Sequence, residues 1–160
     1  MLNIQFDHLK NISIQDIIEL NTNERVLKQM PLASGTIFDE QECIAWVNEK
    51  EEQWTKHGYG PWAFLVDGKF AGWGGLQYED GDADLALVLH PQYWGIGKQI
   101  FDEIIKIAFT EMNFESITIL LPPSRKKLKG IYLLGFNLDG EITISGEHFI
   151  RYRLYKPTQI

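Results

Sequence analysis

Leu2, Ile4 and Phe6 alternate with polar residues and predict a first strand. Residues 13–20 predict a short helix, with Ser13 as its cap and Asp16 three residues on. Residues 22–30 predict a second short helix, stopped by Pro31, and residues 31–38 read as loop. Asp39 and Glu42 form another cap signature. The helix behind them sets Cys43, Trp46, Val47 and Trp54 on one side and ends near Gly58. An apolar strand at residues 62–66 turns through Asp67-Gly68 into a partner at 70–78, and residues 79–82 make a second turn. The run Leu85-Ala86-Leu87-Val88-Leu89 has the character of a buried strand. Beyond it, Ile100, Phe101, Ile104, Ile105, Ala108 and Met112 fall on one face of a long helix. Ile117, Ile119 and Leu121 alternate as a fifth strand, ended by Pro122-Pro123. A helix at 124–134, stopped by Gly135, and two strands at 136–144 and 147–155 around Ser145-Gly146 close the chain.

This order predicts a mixed α/β sheet. The strand at 85–89, the helix from Lys98 and the strand at 117–121 form a βαβ unit, which makes those two strands parallel. We find no repeats, low-complexity segment or linker, and 160 residues suit one domain spanning 1–160. A chain of that size buries roughly 70% of its unfolded surface.

The chemistry points to the join between strand and long helix. There the chain reads His90-Pro91-Gln92-Tyr93-Trp94-Gly95-Ile96-Gly97-Lys98. A strand passing through two close glycines into a helix N-terminus is suited to holding a phosphate. Glycine lets the backbone approach the ligand, and successive N–H groups point at one spot. A P-loop would need glycine at Gln92 and Ser or Thr at Gln99. A dinucleotide fingerprint would need a third glycine at Ile100. The pattern that fits is Gln/Arg-x-x-Gly-x-Gly/Ala, written here as Gln92-Tyr93-Trp94-Gly95-Ile96-Gly97.

That pattern, with the strand Ala83-Asp84-Leu85-Ala86-Leu87-Val88-Leu89 and His90-Pro91 before it, resembles the coenzyme A pyrophosphate loop of the GNAT acyltransferase superfamily. The element order resembles the same family along nearly the whole chain, and the N-terminal helices resemble its ribosomal-protein N-acetyltransferase branch. The resemblance implies a GNAT acyl-CoA N-acyltransferase fold. It would have about seven mostly antiparallel strands, a splayed parallel pair formed by the fourth and fifth, and four to five helices. It implies acetyl-CoA as cofactor. The amides of Trp94, Gly95, Ile96, Gly97 and Lys98, with Gln92, would face the pyrophosphate, and Leu87 and Leu89 would pair with the pantetheine arm. It implies direct transfer to a primary amine of a small molecule, peptide or protein. Asp84 stands where relatives often carry a glutamate base, with Glu79, Asp82 and His90 as competitors. The family's tyrosine acid would fall at Ile131. Tyr132, one residue on and about 100° round a helix, is the nearest candidate. Ser124 is the positional match for an asparagine at the start of that helix. Tyr59, Trp62 and the loop from Met30 to Phe38 are candidate walls of the acceptor site. The departures at Ile131 and Ser124 keep open a degenerate relative that senses acyl-CoA without chemistry. An unrelated α/β domain whose glycines only make a turn is the plainer alternative.

Composition narrows the partners. A net charge of −7 argues against a nucleic-acid partner; it is compatible with a cationic amine acceptor, and more simply it keeps the protein soluble. The cluster Arg125-Lys126-Lys127 with Lys129 could meet cofactor phosphates or form a solvated face. No run reaches the ~20 apolar residues of a membrane span, and the N-terminus lacks the regions of a signal peptide. One cysteine, Cys43, rules out an internal disulfide and suits a reducing cytoplasm. His8, His57 and His148 lack metal-ligand spacing, so no metal is expected. A monomer and a homodimer are both compatible with the sequence.

Overall fold

The computed structural model describes residues 2–30 and 37–158. Strand β1 (Ile4–Asp7) leads through a 3-10 turn into helices α1 (Ile14–Asn21), α2 (Glu24–Leu27) and α3 (Glu40–His57). Strands β2 (Pro61–Val66), β3 (Lys69–Glu79) and β4 (Asp82–Leu89) follow. A 3-10 segment, Pro91–Ile96, then feeds helix α4 (Gly97–Thr110). Strand β5 (Ser116–Leu121), helix α5 (Lys129–Leu133) and strands β6 (Asn137–Ile144) and β7 (Glu147–Tyr155) complete the chain. The seven strands form one sheet in the order β1-β2-β3-β4-β5-β7-β6. β4 and β5 run parallel and every other neighbouring pair is antiparallel, as the sequence predicts.

Local chemistry explains most element ends. The Asp39 carboxylate accepts the Glu42 N–H at 2.9 Å and caps α3, and Gly58 stops it in the left-handed region at φ 79°. Asp67 and Gly68, both at positive φ, make the β2–β3 hairpin. Three expectations need correction. Ser13 makes no side-chain cap on α1. The cap of α2 is Asn23, whose oxygen accepts the Arg25 and Val26 N–H groups, so that helix begins later than residue 22. Residues 125–128 are not helical, because Pro122-Pro123 and the four basic side chains around them offer no cap and no apolar face; α5 begins only at Lys129. The proposed stop at Pro31 lies outside the described residues.

Each face of the sheet carries its own apolar layer. On one side Leu9, Ile17, Leu20, Cys43, Val47 and Trp73 pack α1–α3 against β2 and β3. On the other, Leu76, Leu85, Leu89, Ile100, Ile104, Ile117 and Phe136 pack α4 and α5 against β3, β4 and β5. The α4 stripe read from the sequence is the buried one: Ile100, Phe101, Ile104 and Ala108 are all buried. The β2–β3–β4 ladder is close. A Cβ at Gly74 would stand 2.3 Å from the Ala86 carbonyl oxygen, so only glycine fits there. No helix among the described residues is long and apolar enough to cross a membrane.

Candidate active site

β4 is paired fully on one side and almost not at all on the other. Toward β3 its register runs unbroken from Asp82 to Leu89. Toward β5 it pairs at a single position, Asp84 with Thr118. The His90 N–H donates to the Ala71 carbonyl at 2.8 Å, which continues the β3–β4 ladder. Antiparallel groups alternate in direction, so the N–H and C=O of Ala86 and Val88 also face β3, and those of Leu85, Leu87 and Leu89 face the gap. The Leu89 carbonyl is occupied by the Trp94 indole N–H, which donates to it at 2.8 Å. The Leu87 amide stands beside the opening.

That opening is a cleft of about 1440 Å³ that passes between the two strands. Leu87, Leu89, Trp94, Gly97 and Lys98 line one end. Met30, Phe38, Trp46, Lys50, Trp73 and Asp84 line the other. Ile119, Leu121, Ile131 and Leu134 form the far wall. At the first end, α4 begins without any side-chain cap and without an acidic residue in its first turn. The Gly97 N–H is taken by the Trp94 carbonyl of the preceding 3-10 turn, so what α4 offers an outside anion is its positive dipole end and the N–H groups that this turn leaves free. Gly95 is exposed, and a Cβ there would meet nothing within 4 Å. Gly97 is αR at φ −55°, and Gly95 is absent from the positive-φ residues, so these glycines provide room rather than an unusual backbone. The Arg25 guanidinium lies 4.7 Å over the Trp94 ring and holds that wall in place.

At the other end Asp84 is half-buried on the α3 face. The hydroxyl of buried Thr118 donates to its carboxylate at 2.8 Å. Desolvation pushes the Asp84 pKa up to about 7, the Thr118 hydrogen bond partly offsets it, and the charges of Glu79 and Asp82 push the same way as burial. Its neighbours differ in role. Asp82 is engaged by Arg153 through two hydrogen bonds of 2.9 and 3.1 Å. Glu79 shares the cleft, and burial raises its pKa. Lys50 was not singled out in the sequence. Its ammonium donates to Gln77 Oε1 at 2.6 Å and sits over Trp46 and Trp73 at 5.5 and 5.2 Å, and desolvation lowers its pKa. Its lone position on a polar α3 face carried no signal.

Several expected residues lie elsewhere. Tyr132 is 49% exposed and packs edge-on against Tyr152, while Ile131 takes the inward position on α5. A step of about 100° per residue carries the phenol outside the cleft. Ser124 is exposed in the loop before α5, and Arg125 is the residue of that loop that reaches the cleft. Gln92 opens on a smaller pocket of about 370 Å³ between α1 and β3, together with His90. His90 Nε2 lies 3.6 Å from Glu19 there, well away from Asp84's wall. Trp62 packs on Phe6 and Trp54, and Tyr59 packs on Phe114; the aromatic walls of the cleft are instead Trp46, Trp73 and Phe38. Of the loop from Met30 to Phe38, Met30, Ile37 and Phe38 line the cleft, and residues 31–36 lie outside the described residues. Cys43 is buried among α1–α3, where burial raises its thiol pKa.

The family model described as an acetyltransferase (GNAT) domain matches residues 6–126 of this chain. Among solved structures, the chain resembles a protein from Bordetella pertussis described as a GNAT-family acetyltransferase. That match has 12% identity and a TM-score of 0.72, and covers 94% of this chain and 95% of that one. It resembles a spermidine N-acetyltransferase from Vibrio cholerae in complex with CoA and spermine, with 16% identity, a TM-score of 0.68, and 97% and 95% coverage. It also resembles a Vibrio cholerae protein described as a ribosomal-protein-serine acetyltransferase, with 17% identity, a TM-score of 0.66, and 95% and 93% coverage. At these identities the structures show the shared fold.

Proposed function

Because this chain belongs to the GNAT acetyltransferase family, we propose that it is an acetyl-CoA-dependent N-acetyltransferase that acts directly on a primary amine. The acceptor class is a small molecule, peptide or protein. The observation that carries this reading is the one-sided pairing of β4. Beyond Asp84 the strand has no β5 partner, and a through-going cleft runs along its free edge. An extended amide-bearing arm can add to such an edge as a strand would.

The residues present fit acetyl-CoA. The positive end of α4 and those amides of residues 94–98 that the 3-10 turn leaves free are suited to the pyrophosphate, and the open face at Gly95 lets it approach. The Leu87 and Leu89 amides are suited to the pantetheine arm. The arm's far end would then lie toward Asp84. Acetyl-CoA supplies the activated acyl group. An N–H on the free edge of β4 polarises its carbonyl. Asp84 accepts the proton that the amine loses, a role matched by a carboxyl pKa near neutrality. Thr118 holds that carboxyl toward the cleft. No covalent enzyme intermediate is needed, since Cys43 sits in the core of α1–α3. With Tyr132 outside the cleft, the departing thiolate takes its proton from water. That reading is cytoplasmic, in keeping with a single buried cysteine.

A second reading is an acyl-CoA sensor without chemistry, and the outward placement of Tyr132 is the observation that favours it. One experiment separates the two. The protein is incubated with acetyl-CoA and a panel of primary amines, and free CoA is measured with the melting temperature. Amine-dependent CoA release supports the transferase. A rise in melting temperature without CoA release with any amine supports the sensor. No rise with acetyl-CoA overturns both.

A further inference from the structure

The single pairing of β4 with β5 leaves the angle of the cleft almost unsupported by the backbone. The support comes from a side chain. Asp84, Thr118 and Arg153 stand in one lateral row, because Asp84 pairs with Thr118 and Thr118 with Arg153. From β7 the Arg153 guanidinium reaches diagonally across β5. It donates to Ser116 Oγ at 2.9 Å and grips both carboxylate oxygens of Asp82, the first residue of β4, at 2.9 and 3.1 Å. Its Nε donates to Asp139 on β6 at 2.8 Å. One half-buried cation thus ties four strands together at the narrow end of the cleft, one side-chain layer from Asp84. A planar guanidinium holds such a geometry where an ammonium would not.

We propose that Arg153 is a positioning residue for acyl transfer: it sets the angle at which β4 and β5 part, and it shields Asp84 from the charge of Asp82. The groups facing Asp84 are Gln77 and Glu79 on β3, Asp82 on its own strand, Thr118 on β5, Arg153 beyond it, and Lys50 of α3 on the same cleft wall. With Glu79 and Asp82 both acidic, an unshielded Asp82 would drive the Asp84 proton affinity higher still. The kinetic part of this inference rests on the transferase reading; the charge part does not.

The test compares wild type with Arg153→Lys, Arg153→Met and Asp82→Asn/Arg153→Met. Carbon NMR of labelled aspartate carboxyls reads the Asp84 titration without any activity, with Asp84→Asn identifying the signal. Removal of the guanidinium in Arg153→Met raises the Asp84 midpoint by about one unit, and removal of both charges in the double variant returns it to near the wild-type value. Arg153→Lys keeps the charge and loses the fork. Its midpoint stays near wild type, while its KM for acetyl-CoA rises about tenfold. A wild-type midpoint in Arg153→Met overturns the shielding, and an unchanged KM in Arg153→Lys overturns the clasp. If Arg153→Met does not fold, Asp82→Asn alone decides the charge part: a midpoint within about half a unit of wild type supports the shielding, and a fall of about one unit or more, as from an uncompensated charge, overturns it. A protein that shows these titrations but releases no CoA with any amine leaves the inference about charge standing and removes the transferase reading.

Discussion

Asp84→Asn separates the catalytic cost of this carboxyl from its cost to folding, and the two have opposite signs. The pKa rises from 3.8 in the unfolded chain to about 7 in the fold. Between those values the native state holds a proton that the unfolded state has lost, so stability falls as pH rises through this window. A difference of roughly three units corresponds to a ceiling of about 4 kcal/mol above pH 7. Water in the open cleft lowers that ceiling, and we expect about 1–2 kcal/mol. Asparagine keeps an oxygen for the Thr118 hydroxyl and cannot ionise. At pH 8.5 the variant should therefore melt about 3–6 °C above wild type, and the difference should vanish near pH 4. Its kcat/KM for an amine should fall about 100-fold or more, the usual worth of a general base. The wild-type rate should rise with pH through a midpoint near 7, and the variant should lose that limb. Melting curves at the two pH values and a pH-rate profile suffice. An asparagine variant no more stable at pH 8.5 would refute the desolvation argument, and one with wild-type kcat would refute the role as base.

Other substitutions probe separate parts of the site. Gly95→Val places a side chain in open space, so the melting temperature should hold while acetyl-CoA affinity, read by calorimetry, falls at least about tenfold. Gly74→Ala does the reverse at the sheet. Its Cβ would meet the Ala86 carbonyl at 2.3 Å, and denaturant unfolding should show a loss of about 2 kcal/mol or more. Tyr132→Phe should leave kcat within about twofold of wild type, because the phenol lies outside the cleft; a large fall in kcat would restore it as the acid. Lys50→Met should change the ranking of amines in the acceptor panel without altering acetyl-CoA affinity, since Lys50 lines the α3 end of the cleft only.

Each part of this protein was readable from sequence to the degree that its cause is local. The β4 run, the α4 stripe and the Asp67-Gly68 turn are written in periods of two and 3.6 and in turn chemistry, and all three stand where the pattern placed them. The glycine-containing turn between β4 and α4 also stands where the sequence put it, and the phosphate role proposed for it rests on local features, a helix start and residues small enough to leave space. Helix α5 was less legible, because five residues give too little periodicity to say which side chain turns inward. Contacts between distant positions had no signature at all. Asp84 owes its proton affinity to burial, which the hydroxyl of Thr118, 34 residues away, partly offsets, and Asp82 is held by Arg153, 71 residues away. Lys50 became part of the cleft only when α3 packed over β3. Sequence alone determined most of the segments that become strands and helices, and it marked the join of β4 and α4 as the candidate phosphate site. The tertiary fold decided how far β4 and β5 part and which acid stays dry enough to take a proton. Width and desolvation are set by the packing of whole elements, and no single stretch of chain encodes them.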